Sequence, residues 1–332
     1  MLRAIESRPA PGRATLSSLG SNLGIQGQPA LPLMTDWWLI DDPPLSPSAN
    51  MAKDAFLLDH ASRWERPVLR LYEWNVPTLS LGRNQRAEGA VDLGACAREG
   101  VAVVRRMTGG WAVLHGADLT YSVTAPIAPD GAGPFGSSIQ STYRAIAQVF
   151  LRLFRGLGCE PAMHPYTARE RVDLASPICF QTPSAWELMI GGKKLIGSAQ
   201  RRREDAFLQH GSIPAKTQQD LLARLFANGD GRDLDRSMTD LDSLGLWNSL
   251  SPREFRNRLI EAFAEEFGRN WSVLPWERSD QKGLLALEPR YAPLGPAPEP
   301  RSPGAERFSS GARADRLPAT SGRSHPPGSS GG

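Results

Sequence analysis

Cys179 stands in "PICFQTPSAWELMIGGKKLIGSAQ", with Pro177 before it, Pro183, Ser184 and Glu187 after it, and Lys193 and Lys194 fourteen and fifteen residues on. A thiol in a polar, loop-like stretch followed by cations is a candidate nucleophile, because the thiolate is the reactive form and positive charge favours it. The competing reading is a small buried residue, the commoner role of free cysteine. Cys96 in "LGACAREG" fits an apolar helix face, and Cys159 after "FRGLG" fits a helix end.

A second group lies in "RRMTGGWAVLHGADLTYS". A strand ends in Arg105 and Arg106, turns through Gly109–Gly110 and runs on to His115. Paired glycines admit a ligand close to the backbone, and either arginine suits a carboxylate or phosphate. The alternative is a plain turn with solvated arginines. No Gly-Lys-Ser/Thr follows, so this is not a Walker phosphate loop. A third group is "GGKKLIGSAQRRREDAFLQHGSI", where strand alternation points one of Lys193 and Lys194 inward and the other out. Arg201–Arg202–Arg203 offers either a docking patch for an acidic partner or an exposed strand end. His210 before Gly211 reads as a base or as a hydrogen-bonded strand residue. The His and Cys residues show no paired ligand spacing, so no metal is expected.

The elements that must carry these groups are legible from periodicity. "SANMAKDAFLLDHASRW" (48–64) predicts a helix with Met51, Ala55, Phe56, Leu58 and Ala61 on one side. "PVLRLYEWNVPTLSLG" predicts two strands split at Asn75–Pro77, and "GVAVVRRMTGG" a strand entering a turn. "DLTYSVTA" alternates, with Leu119, Tyr121, Val123 and Ala125 on one face and Thr120, Ser122 and Thr124 on the other. Ile139, Tyr143, Ile146, Phe150, Leu153 and Leu157 mark an amphipathic helix. Gly191–Gly192 predicts a hairpin turn, and "AFLQHGSIPA" a strand. Ser251, Pro252 and Glu254 predict a capped helix start with a capping box, Phe255, Leu259 and Phe263 its buried stripe, and Gly268 its stop. Strands and helices mix without regular alternation, so the expected class is α/β (α+β), a mixed β-sheet flanked by helices.

Glycine and proline, 32 and 28 in all, crowd the two ends. Residues 1–33 and 291–332 therefore read as disordered tails around one folded domain at 34–290. Each tail carries about two net positive charges of a total of +3, which leaves the folded part nearly neutral and ill-suited to nucleic acid. No apolar run is long enough for a membrane span, and the odd cysteine count argues against a disulfide framework. A cytoplasmic protein is expected; the Arg-rich, acid-poor start is also compatible with an organelle transit segment.

Taken together, the motifs resemble one family. "RRMTGGWAVLHGADLTYS", "GKKLIGSAQRR" and "LQHGSI" are similar, in order, to segments of the biotin/lipoate ligase-type catalytic domain. "WLIDDPPLSPSANMAKDAFLL" and "PVLRLYEWNVPTLSLGRNQ" resemble its opening elements, and the likeness covers roughly 36–275. "CFQTPSAWEL" is similar to the cysteine segment of the octanoyl-[acyl-carrier-protein]:protein N-octanoyltransferases. ATP-dependent lipoate ligases generally lack that segment, and many carry an accessory C-terminal domain for which the tail after 290 leaves no room.

The resemblance implies an acyltransferase in lipoate biosynthesis. It would take octanoyl from octanoyl-acyl carrier protein, hold it as a thioester on Cys179, and pass it to a lysine of a lipoyl-domain protein such as glycine-cleavage H protein. Lys194 would favour the Cys179 thiolate. Gly109, Gly110 and Ala112 would line an acyl tunnel, with Thr108, His115, Gly197 and Ser198 completing its wall. Arg106, Ala199, His210 and Gly211 join the substrate-binding set. No cofactor is needed, because the thioester is already activated. Trp111 stands where the ligases usually have glycine; an inward indole would shorten the tunnel and exclude longer acyl groups, whereas strand alternation beside Ala112 and His115 allows it to face outward. The rival readings are an ATP-dependent lipoate–protein ligase, an octanoyl amidotransferase between lipoyl domains, and a non-catalytic lipoyl-domain-binding protein.

Overall fold

The structure is a computed structural model and describes residues 36–88, 91–128, 130–164, 187–226, 237–268 and 270–296. Cys179 and the expected N-terminal tail lie outside the described residues, as does most of the C-terminal one.

Six strands form the main sheet, in the order β10 (Gly197–Arg202), β11 (Ala206–Pro214), β6 (Asp118–Pro126), β2 (Val68–Tyr72), β1 (Asp36–Asp41) and β12 (Asn270–Val273). β1 runs parallel to β2 and β12; the remaining pairs are antiparallel, so the sheet is mixed as expected. One face packs the apolar residues of β6 and β2 against α4 (Ile139–Gly156) and α6 (Pro252–Phe267), through Ile146, Phe150, Phe154, Leu259 and Phe263. Ile146, Phe150, Leu259 and Phe263 belong to the stripes that the spacing predicted and Phe154 adds to them, whereas Ile139, expected in the α4 stripe, sits exposed in its first turn. The Ser251 hydroxyl accepts from Glu254 N and caps α6, which stops at Gly268. Glu254's carboxylate pairs with Arg258, so the capping-box reading holds for its serine half.

The other face is covered by α1 (Pro47–Asp59), α2 (Ala61–Trp64) and α7 (Arg278–Leu287). The single helix expected over 48–64 breaks at His60. Its ring stacks on Phe56 at 4.1 Å and its Nδ1 lies 2.9 Å from the Phe56 carbonyl oxygen, so the side chain competes for a helical acceptor. On this face β6 presents Thr120, Ser122 and Thr124, and all three are buried. The alternation predicted for β6 is present, but its polar side meets protein, not water.

A smaller sheet of β4 (Ala102–Arg105), β3 (Thr78–Leu81) and β5 (Val113–His115) carries the arginine–glycine–histidine segment. It packs against α3 (Leu93–Arg98) and α5 (Gln219–Leu225) through Leu79, Val103, Cys96, Leu221 and Leu225. Leu294 N donates to the Val103 carbonyl at 2.7 Å, so packing continues a few residues past 290. A third sheet joins β7 (Pro161–Met163), β8 (Leu188–Ile190) and β9 (Lys193–Lys194). Gly191 and Gly192 have φ of 58° and 75°, the left-handed values that a two-residue hairpin connection demands.

Candidate active site

The β8–β9 hairpin decides which lysine goes inside. Lys193 is exposed and Lys194 is fully buried, its Nζ 2.6 Å from Glu187 Oε1. A charge so placed requires a partner, and the Glu187 carboxylate, itself buried, supplies one. The chain then runs through Leu195 and Ile196 straight into β10.

β10 is one wall of a narrow cavity that opens in part to solvent. The cavity lies between the main sheet and the small sheet. Its floor is a cross-strand row set by register: Gly197 pairs with Ser212, Ser212 with Thr120, and Thr120 with Tyr72. All four line the cavity, with Ala199, His210 and Gly211 beside them and Arg106, Ser80, Val113 and His115 opposite. Met51 and Trp74 complete it; the Trp74 ring stacks on His115 at 4.4 Å.

The polar groups along this floor are satisfied from beneath. Asp118 Oδ2 accepts from Ser212 (2.6 Å), Thr120 (3.1 Å) and His115 Nδ1 (2.8 Å), and its Oδ1 accepts from Gly116 N. Burial raises the Asp118 pKa, but the interaction with His115 and these donors outweigh it and hold the carboxyl below its ordinary range. The Trp74 indole N–H donates to Thr120 Oγ1 at 2.9 Å. A chain of hydroxyls engaged in this way presents mainly its carbon to the cavity.

A parallel cluster forms around Asp54 on α1. Arg70 Nη1, Ser122 Oγ, Tyr72 Oη and His210 Nδ1 reach its two oxygens at 2.8–3.0 Å. Arg70, Ser122 and His210 are themselves a cross-strand row. Burial alone would lift the Asp54 pKa; Arg70's charge and the His210 hydrogen bond hold it down to about 2. Burial keeps His210 below its usual value, toward the neutral ring.

Seven of the substrate-binding residues expected from sequence line the cavity: Arg106, His115, Gly197, Ser198, Ala199, His210 and Gly211. Thr108 stands behind them, bonded to His210 Nε2 at 2.7 Å. Gly109, Gly110 and Ala112 are not among the cavity-lining residues, although a Cβ on Gly110 would lie 4.0 Å from the Cβ of Ala199, which is. The turn folds back over Arg106, whose Nη2 donates to the carbonyls of Gly109 and Trp111 at 2.7 Å, and Ala112 is buried in the core of the small sheet. Trp111 packs half-buried against that same core, away from the cavity. Arg105 clamps the preceding loop by donating to the carbonyls of Gly82 and Gln85. Within the run 201–203, Arg202 donates to Thr142 Oγ1 and Arg203 pairs with Asp59.

Sequence reading missed Asp54, Asp118, Arg70, Ser80 and Trp74. Their signals were present: Asp54 interrupts the apolar side of its helix, and Arg70 interrupts a strand of apolar residues. Gly82 was missed too. A Cβ there would lie 1.8 Å from the Gly110 carbonyl oxygen, so only glycine lets the glycine turn seat itself on the small sheet.

A cavity cut across a mixed sheet, with a buried lysine at one strand end and an arginine–glycine turn over it, defines a class. Residues 46–264 match the lipoyl protein ligase A/B catalytic domain, and the chain belongs to that family. It is 38% identical over 259 residues to octanoyltransferase LipM of Geobacillus kaustophilus, covering 76% of this chain and 88% of that one. It is 41% identical over 247 residues to octanoyltransferase LipM of Lysinibacillus sphaericus, covering 72% and 88%. Within the family, then, the chain is an acyltransferase. A lipoate-protein ligase A crystallised with ATP shares the fold, with a TM-score of 0.62 at 23% identity, covering 77% of this chain and 94% of that one. Among the described residues no helix is long and apolar enough to cross a membrane.

Proposed function

We propose that this chain transfers an octanoyl group from octanoyl-acyl carrier protein to a lysine of a lipoyl-domain protein, such as glycine-cleavage H protein, in lipoate biosynthesis. The observation that carries the reading is the cavity floor, a row that begins at Gly197, three residues beyond the buried Lys194, continues through Ser212 and Thr120, and ends at Tyr72. Gly197 to Tyr72 spans three inter-strand spacings, about 14 Å. An extended eight-carbon chain advances about 1.2 Å per bond, or about 9 Å in all, and fits along that row. Each buried methylene contributes about 0.8 kcal/mol, so the chain itself supplies much of the donor's affinity.

The chemistry follows from the thioester donor. The Cys179 thiolate attacks the octanoyl carbonyl, a new carbon–sulfur bond forms, the bond to the carrier's sulfur breaks, and the carrier departs as its thiolate. This exchange is nearly neutral in energy. The acceptor lysine's neutral amine then attacks, the carbon–sulfur bond to Cys179 breaks, and the amine's proton ends on the departing sulfur. Lys194 supplies the positive charge that lowers the thiol pKa. The amide is more stable than the thioester, which drives the second step.

The test is transfer to an unmodified lipoyl domain with octanoyl-acyl carrier protein and no ATP. Wild type is expected to transfer and Cys179→Ala to be inert. Activity of Cys179→Ala with free lipoate and ATP would replace this reading with a ligase. Use of octanoylated H protein as the sole accepted donor would replace it with an amidotransferase.

A further inference from the structure

Arg106 sits at the meeting point of two hydrogen-bond chains of the same design. Its Nε donates to Thr108 Oγ1 at 3.1 Å, and Thr108 Oγ1 lies 2.7 Å from His210 Nε2, whose Nδ1 is 2.9 Å from Asp54 Oδ2. Its Nη1 lies 3.3 Å from Ser80 Oγ, which is 2.8 Å from His115 Nε2, whose Nδ1 is 2.8 Å from Asp118 Oδ2. Every group in both chains is buried.

The bonds at the two ends of each chain have a fixed direction, because a guanidinium only donates and an ionised carboxylate only accepts. Both hydroxyls therefore accept from Arg106. Each hydroxyl has a second lone pair that a protonated ring's Nε2–H would use, but the Arg106 charge beside the rings disfavours a second cation, so each hydroxyl places its own proton on Nε2. A ring that accepts at Nε2 carries its proton on Nδ1, and an ionised carboxylate waits there to receive it.

We infer that Arg106 is a positioning residue that locks His210 and His115 as neutral Nδ1–H tautomers, with Asp54 and Asp118 as the anchors at the far ends. Both rings line the cavity, yet the Nε2 lone pair of each is already engaged. Neither histidine is therefore free to take a proton from an attacking thiol or amine; they are fixed walls. The same guanidinium holds the carbonyls of Gly109 and Trp111, so the glycine turn and the two ring orientations are set by one side chain. The low pKa of His210 agrees with a neutral ring. This inference stands independently of Cys179, of the acyl donor and of the acceptor.

The test is long-range ¹H–¹⁵N spectroscopy of the imidazoles in the full chain at pH 7, with His115→Gln and His210→Gln assigning the two rings. Both are expected neutral with the proton on Nδ1; an Nε2–H tautomer or a protonated ring at either position overturns the inference. Thr108→Val removes one hydroxyl that favours the neutral form, so the His210 pKa is expected to rise by about one unit while His115 keeps its tautomer. Thr108→Ser restores the His210 signal. Ser80→Ala is expected to affect His115 alone, and an equal response of both rings to either variant would show a general loosening instead.

Discussion

Lys194 Nζ and Glu187 Oε1 are 2.6 Å apart across the β8–β9 hairpin, and both side chains are buried. A buried pair contributes little net stability while intact, but removing one partner strands the other charge and costs about 3–5 kcal/mol. Glu187→Gln is therefore expected to lower the urea midpoint markedly, and Glu187→Gln with Lys194→Met to lose less than either single change implies. A double-mutant cycle measures the difference. Lys194→Met is also expected to slow acyl-enzyme formation by about 10²-fold, the thiolate lost when a thiol pKa rises by two units.

Gly211 is fixed by its surroundings. A Cβ would lie 2.6 Å from Tyr121 Cε1 and 2.8 Å from Ser198 Oγ, in a cavity wall where Tyr121 also bonds Ser198. Gly211→Ala is expected to cost about 1–3 kcal/mol by overpacking and to raise the donor KM more than it lowers kcat. Gly82→Ala meets backbone at 1.8 Å and is expected to be the worse of the two in both assays.

Acid stability reports on Asp54. Its pKa is held at about 2 against an ordinary 3.8, so its ionised form stabilises the fold fully above the ordinary value, and that contribution disappears as pH falls through about 2. The shift corresponds to about 2 kcal/mol. Urea unfolding from pH 5 to pH 2 is expected to show this loss in wild type and a flatter acid limb in Asp54→Asn.

Thiol reactivity separates the cysteines. Burial, with Asp92 nearby, pushes the Cys96 thiol up to about 11, and burial also raises Cys159. Alkylation of the native chain at pH 8 is expected to modify Cys179 first and to reach Cys96 only after unfolding, read by peptide mapping.

What the sequence made legible was whatever depends on local period. The stripe of α4, the hairpin at Gly191–Gly192 and the opposed facing of Lys193 and Lys194 each follow from one element's own geometry, whereas the choice of Lys194 as the inward one comes from the family resemblance. What stayed hidden depends on two elements meeting. Thr120, Ser122 and Thr124 read as a polar strand face, and nothing within β6 says that Asp54 of α1 and Asp118 would gather that face into a buried network. Likewise Arg106 read as a ligand-binding side chain. Its bonds to Ser80 and Thr108 require the small sheet's register, which no single segment encodes. Gly109, Gly110 and Ala112 read as cavity wall for the same reason: the turn's reversal over Arg106 is a tertiary fact.

The far end of the row carries its own expectation. Tyr72 ends the row that starts at Gly197, and Trp74 packs on Tyr72 and donates to Thr120. Trp74→Ala is expected to lower the KM for decanoyl and longer donors while weakening octanoyl binding, in a donor series of increasing chain length.

The central claim is that an acyl group passes through Cys179. Intact mass spectrometry of the chain after brief incubation with octanoyl-acyl carrier protein, without acceptor, tests it directly. The expected result is a gain of one octanoyl group that is lost on adding a lipoyl domain and is absent in Cys179→Ser. Full transfer activity with no such gain, or a gain that persists in Cys179→Ser, would contradict it.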